Sequence, residues 1–298
     1  MAIPESQLDT WSHQGSITQS SATYATVKRA LETSDTKYAG KDFEVFLQGS
    51  YGNDTNIFAE SDVDVVIRLD SMFHYDLSAL TPVEAAAFEA AYPGSASYGY
   101  SAFTADVVAA LEKRFGTSVK PDKKAIKIKA NGNRRSADVV VATEFRRYSS
   151  FPSLAGAQLS RGICFFTSSR DRIVNYPKQH SAKCTAKHQA TSEWFKPMVR
   201  ILKNMRSRLV DEGAIKQGCA PSYFLEGLLY NVPNDKFGTS YGDTFVAALN
   251  WILEAERNDF VCANEQYYLV RDSAATCWPV ANCAAFLDAV VKLWKDWQ

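Results

Sequence analysis

The sequence lacks the features that mark membrane, secreted or nucleic-acid packaging proteins. No run of 18 apolar residues is present, which excludes an ordinary transmembrane helix. The first fifteen residues have neither the basic nor the apolar part of a secretion signal. Because 33 basic residues balance 33 acidic ones, a nucleic-acid packaging protein is disfavoured. We therefore expect a cytoplasmic protein that does not bind a membrane.

Cysteine is sparse, and no CxxC pair occurs. The six cysteines are scattered over the second half of the chain, so we expect reduced and mostly buried thiols. His180, Cys184 and His188 recur at a spacing of four, which one face of a helix could present to a metal ion. Because no second Cys/His pair accompanies them, we favour structural thiols over a zinc site.

The composition is that of a globular protein. Of the 298 residues, 46% are hydrophobic and 22% are charged, which excludes wholesale disorder. Residues 1–160 mix strand and helix signals, whereas residues 161–298 are mostly helical in pattern. The sequence predicts an α+β fold with two domains, a lobe of mixed strands and helices over 1–160 and a helical lobe over 161–298. Predicted strands are 43–47, 63–69, 125–130 and 137–143; predicted helices are 18–33, 101–115, 192–212, 221–231, 242–256 and 283–297.

Three acidic residues carry the chemical signal. Asp62 and Asp64 are two apart on a predicted strand, so both side chains project to one face. Two carboxylates at this spacing repel each other unless a cation lies between them, and hard oxygen ligands suit Mg²⁺. Asp138 is a lone charge in the apolar strand 137–143, which metal ligation would explain. Gly49 and Ser50 follow a strand and offer backbone N–H groups and a hydroxyl to a phosphate.

This order of motifs resembles the nucleotidyltransferases related to DNA polymerase β. Three further blocks, residues 173–191, 195–206 and 221–233, look like the bacterial cGAS/DncV-like nucleotidyltransferases, or CD-NTases, and like clade E among them. Those enzymes make cyclic oligonucleotide signals in CBASS anti-phage defence. The resemblance implies a polymerase β-like nucleotidyltransferase lobe of mixed sheet and helices, a helical C-terminal lobe, and an active site in the cleft between them.

The resemblance also implies roles for individual residues. Asp62, Asp64 and Asp138 would be the catalytic residues that bind two Mg²⁺ ions, with Mn²⁺ able to substitute. The implied substrate-binding residues are Gln48, Gly49 and Ser50 beside the donor triphosphate, Lys203 on the triphosphate, Ser222 and Tyr223 at phosphate and donor base, and Asn175 at a base edge. For Asn175 a turn-capping role is an equally good interpretation, and Tyr223 could instead be a core residue. Glu226, an acid inside an apolar helix, pairs with an arginine of the other lobe or faces solvent.

The predicted function is template-independent synthesis of a cyclic dinucleotide or trinucleotide from NTPs, with release of pyrophosphate. The resemblance further implies a downstream effector that binds the product. The alternatives are an RNA terminal nucleotidyltransferase or a linear 2′-5′ oligonucleotide synthase, a silent nucleotide sensor, and a transferase that modifies a protein. Segment 120–147 holds nine basic residues, and because the total charge is neutral and aromatic residues do not interleave with them, we favour a solvated face over a nucleic-acid activator. Nothing in the sequence demands a dimer, so a monomer is expected.

Overall fold

The computed structural model describes residues 2–15, 17–58, 62–274 and 276–297. The backbone divides into two compact units. The first comprises Met1–Ile17, Gly49–Ser61 and Lys178–Gln298, and the second comprises Thr18–Gln48 and Asp62–Pro177. The sequence-based division into domains 1–160 and 161–298 stays a prediction. No helix in the described ranges is both long and apolar enough to cross a bilayer.

Strands and helices follow each other in a mixed order. The strands are β1 Phe43–Leu47, β2 Val63–Asp76, β3 Val119–Pro121, β4 Ile126–Ile128, β5 Ala137–Ser150, β6 Gln158–Phe166 and β7 Arg172–Asn175. The helices are α1 Glu5–Ser12, α2 Thr18–Leu31, α3 Gly49–Gly52, α4 Pro82–Ala91, α5 Tyr100–Phe115, α6 Pro177–Ala190, α7 Phe195–Asp211, α8 Ser222–Asn231, α9 Tyr241–Glu254 and α10 Val280–Lys295.

The second unit is built on one sheet of seven strands. Its order is β1-β2-β5-β4-β3, and β6 pairs with the distal part of β5 and with β7. β2 and β5 are parallel, whereas the other pairs are antiparallel. Both central strands carry long runs of β-branched residues, which suit a pleated surface covered on both sides. The sheet is therefore the frame that fixes side chains on β2 relative to those on β5.

The two faces of this sheet bury different groups. On one face, Val65 and Val139 are fully buried where α2 and α5 contact β2 and β5. On the other face, Val66 and Val140 belong to a separate apolar cluster with residues of β6. Because side chains alternate along a strand, the residues just before this second cluster, Asp64 and Asp138, lie on the same face as it does.

The first unit is helical. Its core contains residues of α1, α6, α7, α8, α9 and α10, and α7 is the most amphipathic of these helices. Pro197 is the third residue of α7, where a missing N–H breaks no helical hydrogen bond. Short segment 49–61, which follows β1 in the chain, is part of this unit rather than of the sheet unit. The unit thus joins three stretches that are far apart in sequence.

The sequence predicted most element centres but missed several elements. The predicted strands 63–69 and 137–143 extend to Asp76 and Ser150, and the helix predicted over 283–297 begins at Val280. The elements missing from the prediction are α1, α3, α4, α6, β3, β6 and β7. Helix α6 is polar on nearly all sides, with only His180 and Cys184 buried, so it gives almost no hydrophobic periodicity to detect.

Candidate functional site

Two of the predicted catalytic carboxylates face each other across the central strand pair. Asp64 of β2 and Asp138 of β5 are directly opposite in the parallel register, so both side chains project to one face of the sheet. Asp62 lies two residues before Asp64, and its carboxylate accepts a hydrogen bond from the hydroxyl of Ser136. Ser136 in turn lies two residues before Asp138. The structure therefore brings the three acids together at the start of β2 and β5.

The electrostatics of this group favour a bound cation. Asp138 is half-buried, and burial together with the negative charge of Asp62 raises its pKa above the ordinary value. Lys127, opposite Asp138 on β4, acts in the other direction but is also paired with Asp122 at 2.8 Å. A set of carboxylate oxygens that repel one another in a half-buried place matches the donor chemistry that divalent hard cations prefer. The residues present fit such an ion.

Gln48 adjoins the carboxylates at the end of β1. Its backbone N–H donates to the carbonyl of Asp64 over 3.1 Å, which continues the β1–β2 ladder by one residue. The chain then turns at Gly49, whose φ of +68° is strained for any residue with a side chain.

Residues 49–56 comprise the short helix α3 and the turn that follows it, and they are here called the phosphate loop because the sequence predicts phosphate binding at Gly49 and Ser50. The N–H of Asn53 donates to the carbonyl of Gly49, and the N–H of Thr55 donates to the carbonyl of Ser50. Gly49 is exposed and Ser50 is partly exposed. The predicted phosphate-binding residues thus lie on an ordered loop of the first unit.

Three basic residues of α7 hold the phosphate loop. Lys203 is fully buried, and its ammonium donates to the carbonyl of Thr55 over 2.8 Å. Lys196 pairs with the carboxylate of Asp54 at 2.9 Å, and Arg200 donates to the carbonyl of Asp54 over 2.6 Å. The predicted contact of Lys203 with a triphosphate stays a prediction; in the structure this ammonium binds the loop that would carry the triphosphate.

Glu226 of α8 is buried in the first unit and does not face solvent or pair with an arginine of another lobe, so both interpretations drawn from the sequence were wrong. Its carboxylate accepts hydrogen bonds from the hydroxyl of Thr55 and from the amide of Asn53, the latter over 3.2 Å. The His180 Nε2 atom lies 2.6 Å from it. The sequence shows an isolated acid, and its partners are far away along the chain.

This network keeps Glu226 ionised despite its burial. Burial raises the pKa of the carboxyl, but the hydrogen bond and charge of His180, the charge of Lys203 and the Thr55 hydroxyl outweigh it, and the net pKa is lowered. An ionised carboxylate only accepts hydrogen bonds, so the His180 Nε2 atom carries the hydrogen.

Ser222 and Tyr223 open helix α8 directly after Pro221. The Tyr223 ring stacks on the His180 ring, with centroids 4.6 Å apart and planes inclined by 22°. Its hydroxyl accepts a hydrogen bond from the amide of Asn264 over 2.9 Å. A ring that is held at both its face and its hydroxyl is a rigid platform, and both residues are partly exposed. Their roles at phosphate and base stay predictions.

Asn175 ends β7, opposite Ile163 of β6, which is itself opposite Glu144 of β5. This register places Asn175 on the same face of the sheet as Asp138. Its side-chain oxygen accepts a hydrogen bond from the N–H of Tyr176 over 2.8 Å, which is the turn-capping arrangement. The amide nitrogen of the same side chain is the group that would meet a base edge.

His180, Cys184 and His188 do not come together as a set of metal ligands. All six cysteines are free thiols and five are buried, as predicted. His180 and Cys184 do lie close to another potential ligand, Glu226. The ligand atoms of these three residues are all within 4.8 Å of one another. The Glu226 carboxylate, however, already accepts three protein hydrogen bonds and is balanced by Lys203, so its lone pairs serve the protein rather than an ion.

Comparisons with known proteins agree with this architecture. Residues 182–295 match the cGAS/DncV-like nucleotidyltransferase C-terminal helical domain. The cyclic UMP-AMP synthase of Rhodothermus marinus is 39% identical over 100% of this chain and 99% of its own length. The cyclic nucleotide synthase CdnE01 of Staphylococcus haemolyticus is 34% identical over 100% of both chains. The solved structure of the R. marinus CdnE synthase with Apcpp and Upnpp has a TM-score of 0.89 at 38% identity, and the match covers 99% of this chain and 97% of that one.

The mixed sheet with its paired carboxylates and the helical unit match the fold of solved cGAS/DncV-like nucleotidyltransferases. The chain belongs to the cGAS/DncV-like nucleotidyltransferase family, and its relatives are of the CdnE type, which is clade E as predicted. It is an enzyme, a synthase of cyclic oligonucleotides of the kind found in CBASS. The alternative of a terminal transferase or a linear oligonucleotide synthase finds no support among these relatives. Enzymes of this family generally use divalent metal ions.

Proposed function

We propose that this synthase joins two NTPs into a cyclic dinucleotide, with Asp62, Asp64 and Asp138 as its catalytic carboxylates. The observation that supports the assignment is the register of the sheet, in which Asp64 lies opposite Asp138 with Asp62 two residues away. Relatives whose names state a product make cyclic UMP-AMP, cyclic dipurine or cyclic dipyrimidine nucleotides. These names favour a dinucleotide over a trinucleotide.

The three carboxylates would hold two Mg²⁺ ions, which Mn²⁺ can replace. Metal ions in such sites neutralise charge at the attacking hydroxyl and at the departing pyrophosphate. In this proposal Asp138 would ligate the metal ion beside the attacking hydroxyl, as the resemblance to the family implies. Asp62 is oriented by the Ser136 hydroxyl, which fixes one of its oxygens before substrate arrives.

The remaining predicted residues would position the nucleotides. Gly49 and Ser50 bind the donor triphosphate through N–H groups and a hydroxyl, next to Gln48 and near Lys203. Ser222 contacts phosphate, Tyr223 stacks on the donor base, and Asn175 hydrogen-bonds a base edge with its amide nitrogen. These groups would hold the bound nucleotides in the geometry that the attack requires, and such positioning speeds the reaction.

The test is product analysis with purified protein. All four NTPs are incubated with Mg²⁺ or Mn²⁺, the products are treated with phosphatase, and the resistant species are identified by mass spectrometry. We expect a mass of a cyclic dinucleotide, and the mass names its bases. A cyclic trinucleotide would contradict the ring size, and linear products alone would contradict the synthase assignment.

Variants show whether the product comes from this site. Asp62→Ala/Asp64→Ala should abolish product formation. Asp70→Asn is the matched control, because Asp70 is an acid of the same strand but is paired with Arg68. Equal loss of product in both proteins would contradict a specific role for Asp62 and Asp64.

The remaining aspects of the proposal concern the setting of the enzyme. We propose a cytoplasmic monomer that takes NTPs as substrates and whose product binds a separate effector in anti-phage signalling. The exposed pair of Lys127 and Asp122 supports the solvated-face interpretation of segment 120–147. Light scattering of the purified chain tests the monomer, and a product yield that DNA or RNA does not change tests independence from a nucleic-acid activator.

A further inference from the structure

The phosphate loop is tied to one buried carboxylate. Glu226 accepts hydrogen bonds from the side chains of Thr55 and Asn53, and both residues belong to the loop that starts at Gly49. Thr55 is fully buried, and Lys203 holds the same residue through its carbonyl. One residue of the loop is therefore fixed at both its side chain and its backbone.

The same carboxylate also fixes the aromatic platform. The His180 Nε2 atom lies 2.6 Å from Glu226, and the flat face of the His180 ring stacks on Tyr223. Tyr223 lies three residues before Glu226 on α8, so the helix and the histidine hold the ring from two directions. Rotation of His180 would leave one face of Tyr223 without its support.

Stability alone does not account for a charge in this position. Well-packed apolar side chains of similar volume can often replace a buried charged cluster with no loss of stability. A fully hydrogen-bonded carboxylate instead imposes one geometry on each of its partners. Its partners here are the loop that would bind the triphosphate and the histidine behind the ring that would stack on the base.

We propose that Glu226 is a positioning residue that couples the phosphate loop to the Tyr223 platform and so presets both for the same nucleotide. This inference rests on the proposed function, because it uses the roles proposed there for Gly49, Ser50 and Tyr223. Transition-state stabilisation depends on donors that are fixed before the substrate binds. Glu226 would hold the phosphate loop and, through His180, the Tyr223 ring in such fixed positions.

A pair of substitutions at Thr55 separates the hydrogen bond from packing. Thr55→Val keeps the shape but removes the hydroxyl, whereas Thr55→Ser keeps the hydroxyl but removes the methyl group. We expect Thr55→Val to weaken binding of a non-hydrolysable ATP analogue by about tenfold, since a hydrogen bond to a charged group is lost. Thr55→Ser should bind like the wild type. The measurement is isothermal titration calorimetry in the presence of Mg²⁺.

Amide hydrogen exchange reports the loop directly. The N–H groups of Asn53 and Thr55 are hydrogen-bonded within the loop, so their exchange measures its opening. We expect faster exchange over residues 49–56 in Thr55→Val and wild-type exchange there in Thr55→Ser. If exchange over residues 49–56 is equal in the two variants, the proposal is wrong.

Variants of Glu226 test the role of its carboxylate directly. Glu226→Gln should retain part of the network, so its nucleotide affinity should lie between those of the wild type and Glu226→Ala. The control is Glu144→Gln, which alters a buried acid of the sheet unit that is paired with Arg146. If Glu144→Gln changes exchange over residues 49–56 as much as Glu226→Gln does, Glu226 has no specific role. If Glu226→Ala does not fold, the comparison of Thr55→Val with Thr55→Ser still tests the proposal.

The outcome is separable from that of the proposed function. Exchange of the phosphate loop requires no catalysis and no nucleotide. A wild type that forms no cyclic product would refute the proposed function, whereas equal loop exchange in the two Thr55 variants would refute the coupling.

Discussion

The surroundings of Asp138 disfavour the ionised form of its carboxyl group. Burial and the nearby charge of Asp62 both raise its pKa, and the opposing effect of Lys127 does not cancel them. Asp138→Asn removes the repulsion and keeps the shape of the side chain. We expect a melting temperature in metal-free buffer that is equal to or above that of the wild type, together with a fall in product formation of at least about a hundredfold.

The control for this prediction is Asp70→Asn, which removes a partner of Arg68 instead of a repelling charge. It should retain product formation and should not raise the melting temperature. A lower melting temperature for Asp138→Asn in metal-free buffer would contradict the account of its electrostatics.

At the residue scale, the carboxylates could be predicted and Glu226 could not. Asp64 and Asp138 interrupt apolar strands and Asp62 directly precedes one, so each is visible in a window of a few residues. The partners of Glu226 are Thr55 and Asn53, which are 171 and 173 residues away in sequence. No local pattern carries such a pairing, because the fold alone brings these side chains together.

Strand β6 lies so close to the end of β7 that it tolerates no side chain at Gly162. A Cβ atom there would approach the carbonyl oxygen of Asn175 to 2.6 Å and the ring of Tyr176 to 2.9 Å. Gly162→Ala should therefore destabilise the protein by about 1–3 kcal/mol, as overpacking of a rigid backbone does. Chemical denaturation measures this loss.

The matched control is Gly94→Ala, because a Cβ atom at Gly94 meets nothing within 4 Å. That variant should be as stable as the wild type or slightly more stable, since alanine restricts the unfolded chain. If both variants are equally stable, the close approach of β6 to Asn175 is wrong. A change in the bases of the product in Gly162→Ala alone would support base reading by Asn175.

Helix α4 depends on an acidic residue at its start. Glu84 accepts hydrogen bonds from the N–H of Thr81 and, beyond the helix, from the N–H of Phe151 and the hydroxyl of Ser150. These bonds lower its pKa from 4.5 to about 2. The stabilisation is therefore present above pH 4.5 and is lost as the pH falls through about 2.

Glu84→Gln should lower the melting temperature at pH 7, and the difference from the wild type should shrink between pH 4.5 and about 2. Glu89→Gln, on an exposed position of the same helix, is the control and should show no such trend. A difference for Glu84→Gln that is independent of pH over this range would contradict the prediction.

At the element scale, hydrophobic periodicity decided what the sequence could predict. Helix α7 alternates apolar and basic residues with helical period, and its predicted range differs by only a few residues from Phe195–Asp211. Helix α6 is polar, with two buried residues in 14, and was missed. Strand β7 has four residues and is held mainly by its pairing with β6, which no short window contains.

At the scale of the whole molecule, the helical unit is not a continuous stretch of chain. Leu8 of α1 is fully buried in the same apolar core as residues of α7 and α9, and Trp11 packs edge-on against Trp297 near the other end of the chain. The sequence showed a change of texture near residue 160. It gave no sign that α1 and the phosphate loop belong with the later helices, because packing across large sequence separations leaves no periodic pattern.

This arrangement predicts the behaviour of a fragment that contains only residues 178–298. Without α1, the fragment lacks Leu8 and Ile3, which fill its core, and without the phosphate loop, buried Lys203 and Glu226 lose the partners that Thr55 supplies. Loss of one buried aliphatic side chain alone costs about 2–5 kcal/mol, a large part of the stability of a typical domain. We therefore expect the fragment to keep helical far-UV circular dichroism but to lose its near-UV signal and bind a hydrophobic dye.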